Sequence, residues 1–196
     1  MPIHDLPKDV LDKFEAHEWK HACAILKNDF PNEWKDIIEL LRAFEIPKSW
    51  ITTPGGRKSQ IAEYIDDFMT LRGWVEKQFK TSVIVDESRI DSPTHKIDCY
   101  KNRIALELEW NNKDPFFDRD LNNFRMLFDL RAISVGVIIT RCDDLQDIFD
   151  DLDRGASFGA STTHMSKLLP RIEGGGGAGC PVLVLGITKK MYKEKR

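Results

Sequence analysis

No apolar run in this 196-residue sequence approaches the roughly 20 residues that span a bilayer, so no membrane-crossing helix is expected. Cysteine is scarce. Cys23, Cys99, Cys142 and Cys180 lie far apart, and none forms the CxxC pair of a zinc or redox site, so reduced, buried thiols are expected. There is no excess of positive charge either: the net charge is −3, and attraction for a polyanion would have to come from a local basic surface. The opening Met1-Pro2-Ile3-His4-Asp5 lacks the basic and then apolar pattern of a secretory signal, which sets the expectation of a cytoplasmic protein. No internal repeat is visible.

What is present is ordinary for a soluble globular chain: 41% hydrophobic and 31% charged residues. The length suits one domain over 1–196 that buries roughly two thirds of its unfolded surface without a staple. Residues 1–80 read as mainly helical. Val10, Leu11 and Phe14, then Ile37, Ile38, Leu41 and Phe44, recur at helical spacing, with Pro31 dividing two helices and Asn32 as a candidate cap. Pro47 and the 52–56 cluster end this unit in a loop. Ile61, Ile65, Phe68 and Leu71 form a further stripe that stops near Gly73.

From residue 81 to 190 the pattern is that of a sheet core. Val83-Ile84-Val85 is a short β-branched run. Two strand-like runs, 97–100 and 104–110, are joined by Lys101-Asn102-Arg103 as a hairpin. Helical spacing over 116–130, an apolar strand over 133–140, a short acidic helix over 143–152 and a buried strand over 182–188 follow, with Gly174–Gly177 as a surface loop. This order predicts a mixed α/β sheet flanked by helices.

Alternation puts Glu107 and Glu109 on one face of their strand and Leu106, Leu108 and Trp110 on the other. With a two-residue turn at Asn102-Arg103, Asp98 falls opposite Glu107. Like charges facing one another across a sheet are destabilising unless neutralised, which points to a hard cation such as Mg²⁺ held by oxygen and suited to phosphodiester hydrolysis. A half-exposed hairpin with an acidic outer face has the same spacing, and on spacing alone that plain hairpin is the commoner case.

The run Ile97-Asp98-Cys99-Tyr100-Lys101 followed by Leu106-Glu107-Leu108-Glu109 resembles the active hairpin of the PD-(D/E)XK restriction endonucleases, above all their BamHI, BglII and BstYI branch. That branch carries Glu or Gln where most of the superfamily has Lys, as Glu109 does here. Segments 22–26, 34–38, 135–139 and 181–187 resemble the same branch in the same order. The resemblance implies a restriction-endonuclease-like core and a type II site-specific deoxyribonuclease. It implies Asp98, Glu107 and the Leu108 carbonyl as Mg²⁺ ligands, and Glu109 as the group that orients or deprotonates water. A fourth acid of some relatives, shortly after a Trp matching Trp74, aligns with Lys77; neighbouring Glu76 does not take its place securely.

For DNA contacts the resemblance singles out Asn111, Asn112 and Lys113 after the catalytic strand, and Arg154 and Ser157 in a second loop. Asn pairs with adenine edges, Lys reaches guanine or phosphate, and Arg and Ser serve bases or phosphates. A polar turn before Asp114-Pro115, and a glycine ending a helix at Gly155, are the plain alternatives. The partner implied is double-stranded DNA, cut by a homodimer at a short palindrome with a GATC-like centre, with the 116–130 helix as interface. Its Leu121, Phe124, Leu127 and Phe128 could equally be consumed by the core.

Other signals are weaker. Gly55-Gly56-Arg57-Lys58-Ser59 lacks the phosphate-loop spacing, His17 and His21 lack an HExxH context, and the 189–196 tail reads as a solvated terminus. A repair nuclease that recognises DNA structure, or a non-catalytic DNA-binding protein, are the competing readings.

Overall fold

The computed structural model describes residues 3, 5–53, 58–91 and 93–194. The start of the Gly55–Ser59 loop, much of the 1–5 segment and the last two tail residues lie outside them.

In chain order the elements are α1 (Lys8–Leu11), β1 (Phe14–Trp19), α2 (Ala22–Asp29), α3 (Pro31–Ala43), β2 (Ile46–Pro47), α4 (Lys48–Thr52), α5 (Gln60–Thr70), β3 (Val75–Lys77), β4 (Ser82–Val85), β5 (Ser88–Asp91), β6 (Ile97–Lys101), β7 (Ile104–Glu109), α6 (Phe116–Asp129), β8 (Val135–Arg141), α7 (Leu145–Asp151), α8 (Met165–Glu173), β9 (Val182–Ile187) and β10 (Tyr192–Lys193). Pro31 opens α3 in its first turn, where the missing N–H costs nothing, so Asn32 is not the cap. Ser59 caps α5, its hydroxyl accepting from the Ala62 amide at 3.1 Å.

Six strands form one sheet in the order β1-β9-β8-β7-β6-β3. β7, β8 and β9 run parallel; β6 is antiparallel to β7, β3 to β6 and β1 to β9. A strand covered on both faces is mostly apolar, and β8 and β9 are buried along their whole length, with Thr140 and Arg141 the polar residues at the end of β8. One face packs Leu106, Leu108, Val137, Ile139 and Leu183 against α2, α3 and α5. The other packs Ala105, Ile138, Val182 and Val184 against Phe117, Leu121, Phe124 and Leu127 of α6, with Leu168 of α8. The mixed sheet flanked by helices is the architecture that the order of elements predicted, and it accords with the core that the resemblance implied.

Several details differ. Phe14 begins a strand, because the helical spacing of Val10, Leu11 and Phe14 straddles the end of the one-turn α1. The N-terminal part thus gives two strands, β1 and β3, to the sheet. The β6–β7 hairpin, which the order of elements alone would leave at the end of the sheet, has β3 paired outside β6. Leu71 falls just past α5 and is exposed, leaving the stripe to Ile61, Ile65 and Met69. Val83-Ile84-Val85 forms a separate two-stranded hairpin with β5, exposed along its length. His17 lies on β1, and His21 sits outside the helices at φ 59°, so the pair has no helical i,i+4 relation. Leu121, Phe124 and Leu127 are consumed by the core, which removes them as an interface. Helix α8, with Pro170 inside it, had no counterpart in the sequence reading.

Candidate active site

The hairpin turns on two residues, Asn102 and Arg103, both at positive φ (43° and 69°), the conformation whose twist matches the flanking strands. It sets the register Lys101↔Ile104, Tyr100↔Ala105 and Cys99↔Leu106, and the ladder stops there. Carried one step further, that register brings Asp98 to Glu107. At this point two side chains take over from the backbone. The Asp98 amide donates to Glu107 Oε2 at 3.2 Å, and the Leu108 amide donates to Asp98 Oδ2 at 2.9 Å. The two strands are splayed and the gap is filled by carboxylates. Since the N–H and C=O of one strand residue point the same way, the Leu108 carbonyl is directed into the same gap.

Glu107 and Glu109 are each only 1% exposed, which excludes the half-exposed acidic hairpin. A third acid, Asp120 of α6, is fully buried beside them. Among the described residues their ion-pairing cation is Arg119, which donates to Glu109 Oε1 at 3.2 Å and to Asp120 Oδ1 at 2.9 Å. Glu109 also accepts from Asn112 Nδ2 at 2.8 Å, and its carbonyl accepts from the Thr140 hydroxyl at 2.9 Å. Glu107 Oε1 and Asp120 Oδ2 are buried with no hydrogen-bond partner.

Burial with too little positive charge pushes these carboxyls upward. Desolvation raises Asp98 to about 6, opposed by the Leu108 amide and reinforced by Asp66 and Asp120. Glu109 is raised to about 9 by burial and by the neighbouring Asp120 carboxyl, and Glu107 and Asp120 also move up, chiefly through burial. A cation among these oxygens would reverse each shift. Among the described residues no three acidic, His or Cys side chains gather closely enough to enclose a metal. Mg²⁺ does not require such a cage, being commonly held by one or two carboxylates with water and substrate phosphate completing its shell. The all-oxygen set and the unpartnered Glu107 oxygen fit that ion.

A cavity of about 580 Å³ opens over the other face of the hairpin, lined among others by Asp98, Leu108, Asn111, Asn112, Arg154 and Ser157. Glu107 and Glu109 lie behind this wall and do not line it. The two loops singled out in the sequence meet here: Asn111 Nδ2 donates to the Ser157 carbonyl at 2.9 Å. Asn111 Oδ1 and Arg154 Nε are buried without partners. Lys113 stands outside the cavity wall, bridged to Thr162.

Three residues of the site escaped the sequence reading. Asp66 of α5 lines the cavity with Asp98 and is ion-paired to Lys58. Glu76, by contrast, is exposed on β3 and pairs with Lys96 at 2.8 Å. Arg119 and Asp120 carried a legible sign: Asp120 falls within the stripe of Phe117, Leu121 and Phe124, where an acid has no reason to be unless partnered.

The family model of restriction endonuclease BglII/BglIII matches residues 14–187. The chain belongs to this family. It is a sequence-specific type II restriction endonuclease, and the match runs from β1 to β9, spanning the entire six-stranded sheet of this BglII/BglIII-family enzyme. No match to a curated protein was found. Among the described residues, no helix is long and apolar enough to cross a membrane.

Proposed function

We propose that this enzyme hydrolyses phosphodiesters of double-stranded DNA at the splayed end of the β6–β7 hairpin, with Mg²⁺ held by Asp98, Glu107 and the Leu108 carbonyl. The observation that carries this reading is the exchange of backbone ladder for carboxylates at Asp98 and Glu107, one of whose oxygens is buried without a partner. An unpaired buried carboxylate oxygen is costly, and a site that keeps one gains from a cation. Bound Mg²⁺ supplies positive charge for the phosphate oxygens and lowers the pKa of water.

The remaining work falls to the chain itself. Hydrogen bonds from the Asp98 and Leu108 amides hold the Glu107 and Asp98 carboxylates in place. Glu109, fixed by Asn112 and Arg119, orients the attacking water and takes up its proton. Asn111, Asn112, Lys113, Arg154 and Ser157 contact DNA: the partnerless Arg154 Nε and Asn111 Oδ1 are a donor and an acceptor suited to phosphate or base edges. Because Asn112 also binds Glu109, its contact with a base would report binding directly to the water-orienting group. The enzyme acts in the cytoplasm as a homodimer.

Digestion of plasmid DNA by the purified protein with Mg²⁺, and with EDTA, tests this reading. Discrete fragments with uniform sequenced ends are expected with Mg²⁺, and none with EDTA. Glu107→Ala is expected to lose at least roughly a hundredfold in rate, in line with removal of a principal charge-stabilising group, while retaining DNA binding. Cleavage by this variant near the wild-type rate would refute the site.

A further inference from the structure

Arg141, the last residue of β8, is 2% exposed, and among the described residues it has no carboxylate in ion-pair range. Its Nη2 donates to the Phe158 carbonyl and to the Thr162 hydroxyl, both at 2.9 Å. The guanidinium lies 5.5 Å from the Phe149 ring centroid, and its Nε is buried without a partner. Burying an arginine without an ion-paired carboxylate is unfavourable, and here desolvation depresses its basicity, opposed by the charge of Asp143. Nothing in the hydrolytic chemistry uses it.

The loop it holds is bound in turn to the strip that follows the catalytic strand. The Thr163 amide donates to the Asn112 carbonyl at 2.7 Å, and the Asn112 amide to the Thr163 hydroxyl at 3.1 Å. The Asp114 amide donates to the Ser161 carbonyl at 3.1 Å, and Lys113 bridges Thr162. Together with the Asn111–Ser157 bond, these contacts make segments 111–114 and 155–163 one interlocked surface. Its attachment from inside the core is Arg141, which grips the second segment at two points, Phe158 and Thr162. Phe158 is further clamped by stacking on Phe149 at 3.9 Å.

We propose that Arg141 is a specificity-determining positioning residue, which fixes segment 155–163 and, through it, segment 111–114, so that the two DNA-facing strips hold a common geometry. The proposal rests on these strips being the DNA-reading surface. A rigid pair of strips reads a base sequence only if both keep their distance from the same grooves, because a contact loosened on one strip is felt by the other.

The test uses full-length Arg141→Met and Arg141→Lys, with Thr162→Val, which deletes one acceptor of Arg141 together with that hydroxyl's own bond to the Gly159 carbonyl, as the variant of choice should Arg141→Met not fold. Hydrogen exchange is followed amide by amide, without DNA. In Arg141→Met, or Thr162→Val, exchange is expected to rise about tenfold or more in both 155–163 and 111–114, although the hydrogen bonds described for Arg141 go to the first, while β8 and α6 keep their protection. Acceleration confined to 155–163, or absent from both, would overturn the coupling.

On DNA, the ratio of cleavage at the mapped site to cleavage at single-mismatch sites is expected to fall about tenfold, within the range that one mismatch costs, with kcat at saturating cognate DNA kept within a few-fold and Arg141→Lys in between. An unchanged ratio would overturn the role in specificity. Coupled exchange in a wild-type protein that does not distinguish sequences would instead overturn the assignment of the strips to DNA while leaving the coupling intact.

Discussion

Asp98 and Glu109 are both raised carboxyls, yet their surroundings differ in the way the proposed division of roles requires. Asp98 lies in the gap between strands, bonded to a backbone amide and lining the cavity, whereas Glu109 lies behind, held by Asn112 and Arg119. Asp98→Ala is accordingly expected to weaken Mg²⁺ binding by about 10-fold or more, and Glu109→Ala to lower the cleavage rate by roughly 10²–10⁴-fold with metal-dependent DNA binding better preserved. Metal titrations of both variants separate the roles; equal loss of metal affinity in the two would refute the division. The same residues dictate a pH response. A carboxyl whose folded pKa is raised favours folding while it is protonated, below the unfolded value near 4, and that contribution is lost as pH rises through the folded pKa. Without divalent metal, the melting temperature should therefore fall as pH rises through about 6, where Asp98 ionises, and again towards about 9, where Glu109 does. Mg²⁺ binds the ionised form, so its stabilising effect should be larger at pH 8 than at pH 5. Thermal melts at the two pH values, with and without Mg²⁺, check this; equal metal effects would show that these carboxyls do not hold the ion.

At the scale of elements, the hairpin was the most legible part of the chain, since alternation and a two-residue turn fix register locally and bring Asp98 to Glu107 with no tertiary information. The acids' burial was not legible, because it depends on α6 crossing the strand. Helix α6 reaches that position by placing Phe124 over Gly136 of β8, and a Cβ built on Gly136 runs into the Phe124 ring. Gly136→Ala is thus expected to destabilise the protein by about 1–3 kcal/mol through overpacking. Because Arg119 and Asp120 ride on α6, cleavage should drop further than the loss of folded protein explains. Denaturant melts alongside specific activity per folded molecule measure both; an alanine accommodated without cost would mean that α6 can shift freely over the sheet. Strand β1 was misread for a complementary reason: Phe14 continued a helical spacing that the one-turn α1 had already ended. Helix α8 was overlooked because Pro170 interrupts a pattern that tertiary packing of Met165, Leu168 and Ile172 nonetheless sustains.

For the whole molecule, the strand order that only the fold supplies moves the hairpin inside the sheet and pairs β1 with β9 across the length of the chain. Each chain then carries one splayed hairpin, and hence one carboxylate cluster, while double-stranded DNA has two strands to cut. Two chains related by a two-fold axis, as proposed, would supply the second cluster and match a palindromic site. The α6 stripe of Leu121, Phe124 and Leu127 is spent on the core, so such a contact would draw on other surface. Phe116 and Leu130 at the two ends of α6, and Val83, Val85 and Ile90 on the β4–β5 hairpin, remain exposed. Sedimentation of the protein on its mapped site is expected to give two chains per duplex, on a sequence symmetric about its centre. Mixing wild-type chains with inactive Glu107→Ala chains should convert a one-site supercoiled plasmid largely to nicked circles, because each mixed dimer cuts a single strand. One chain per duplex, an asymmetric site, or linear product without nicked circles from the mixture would show that a single chain carries out both cuts.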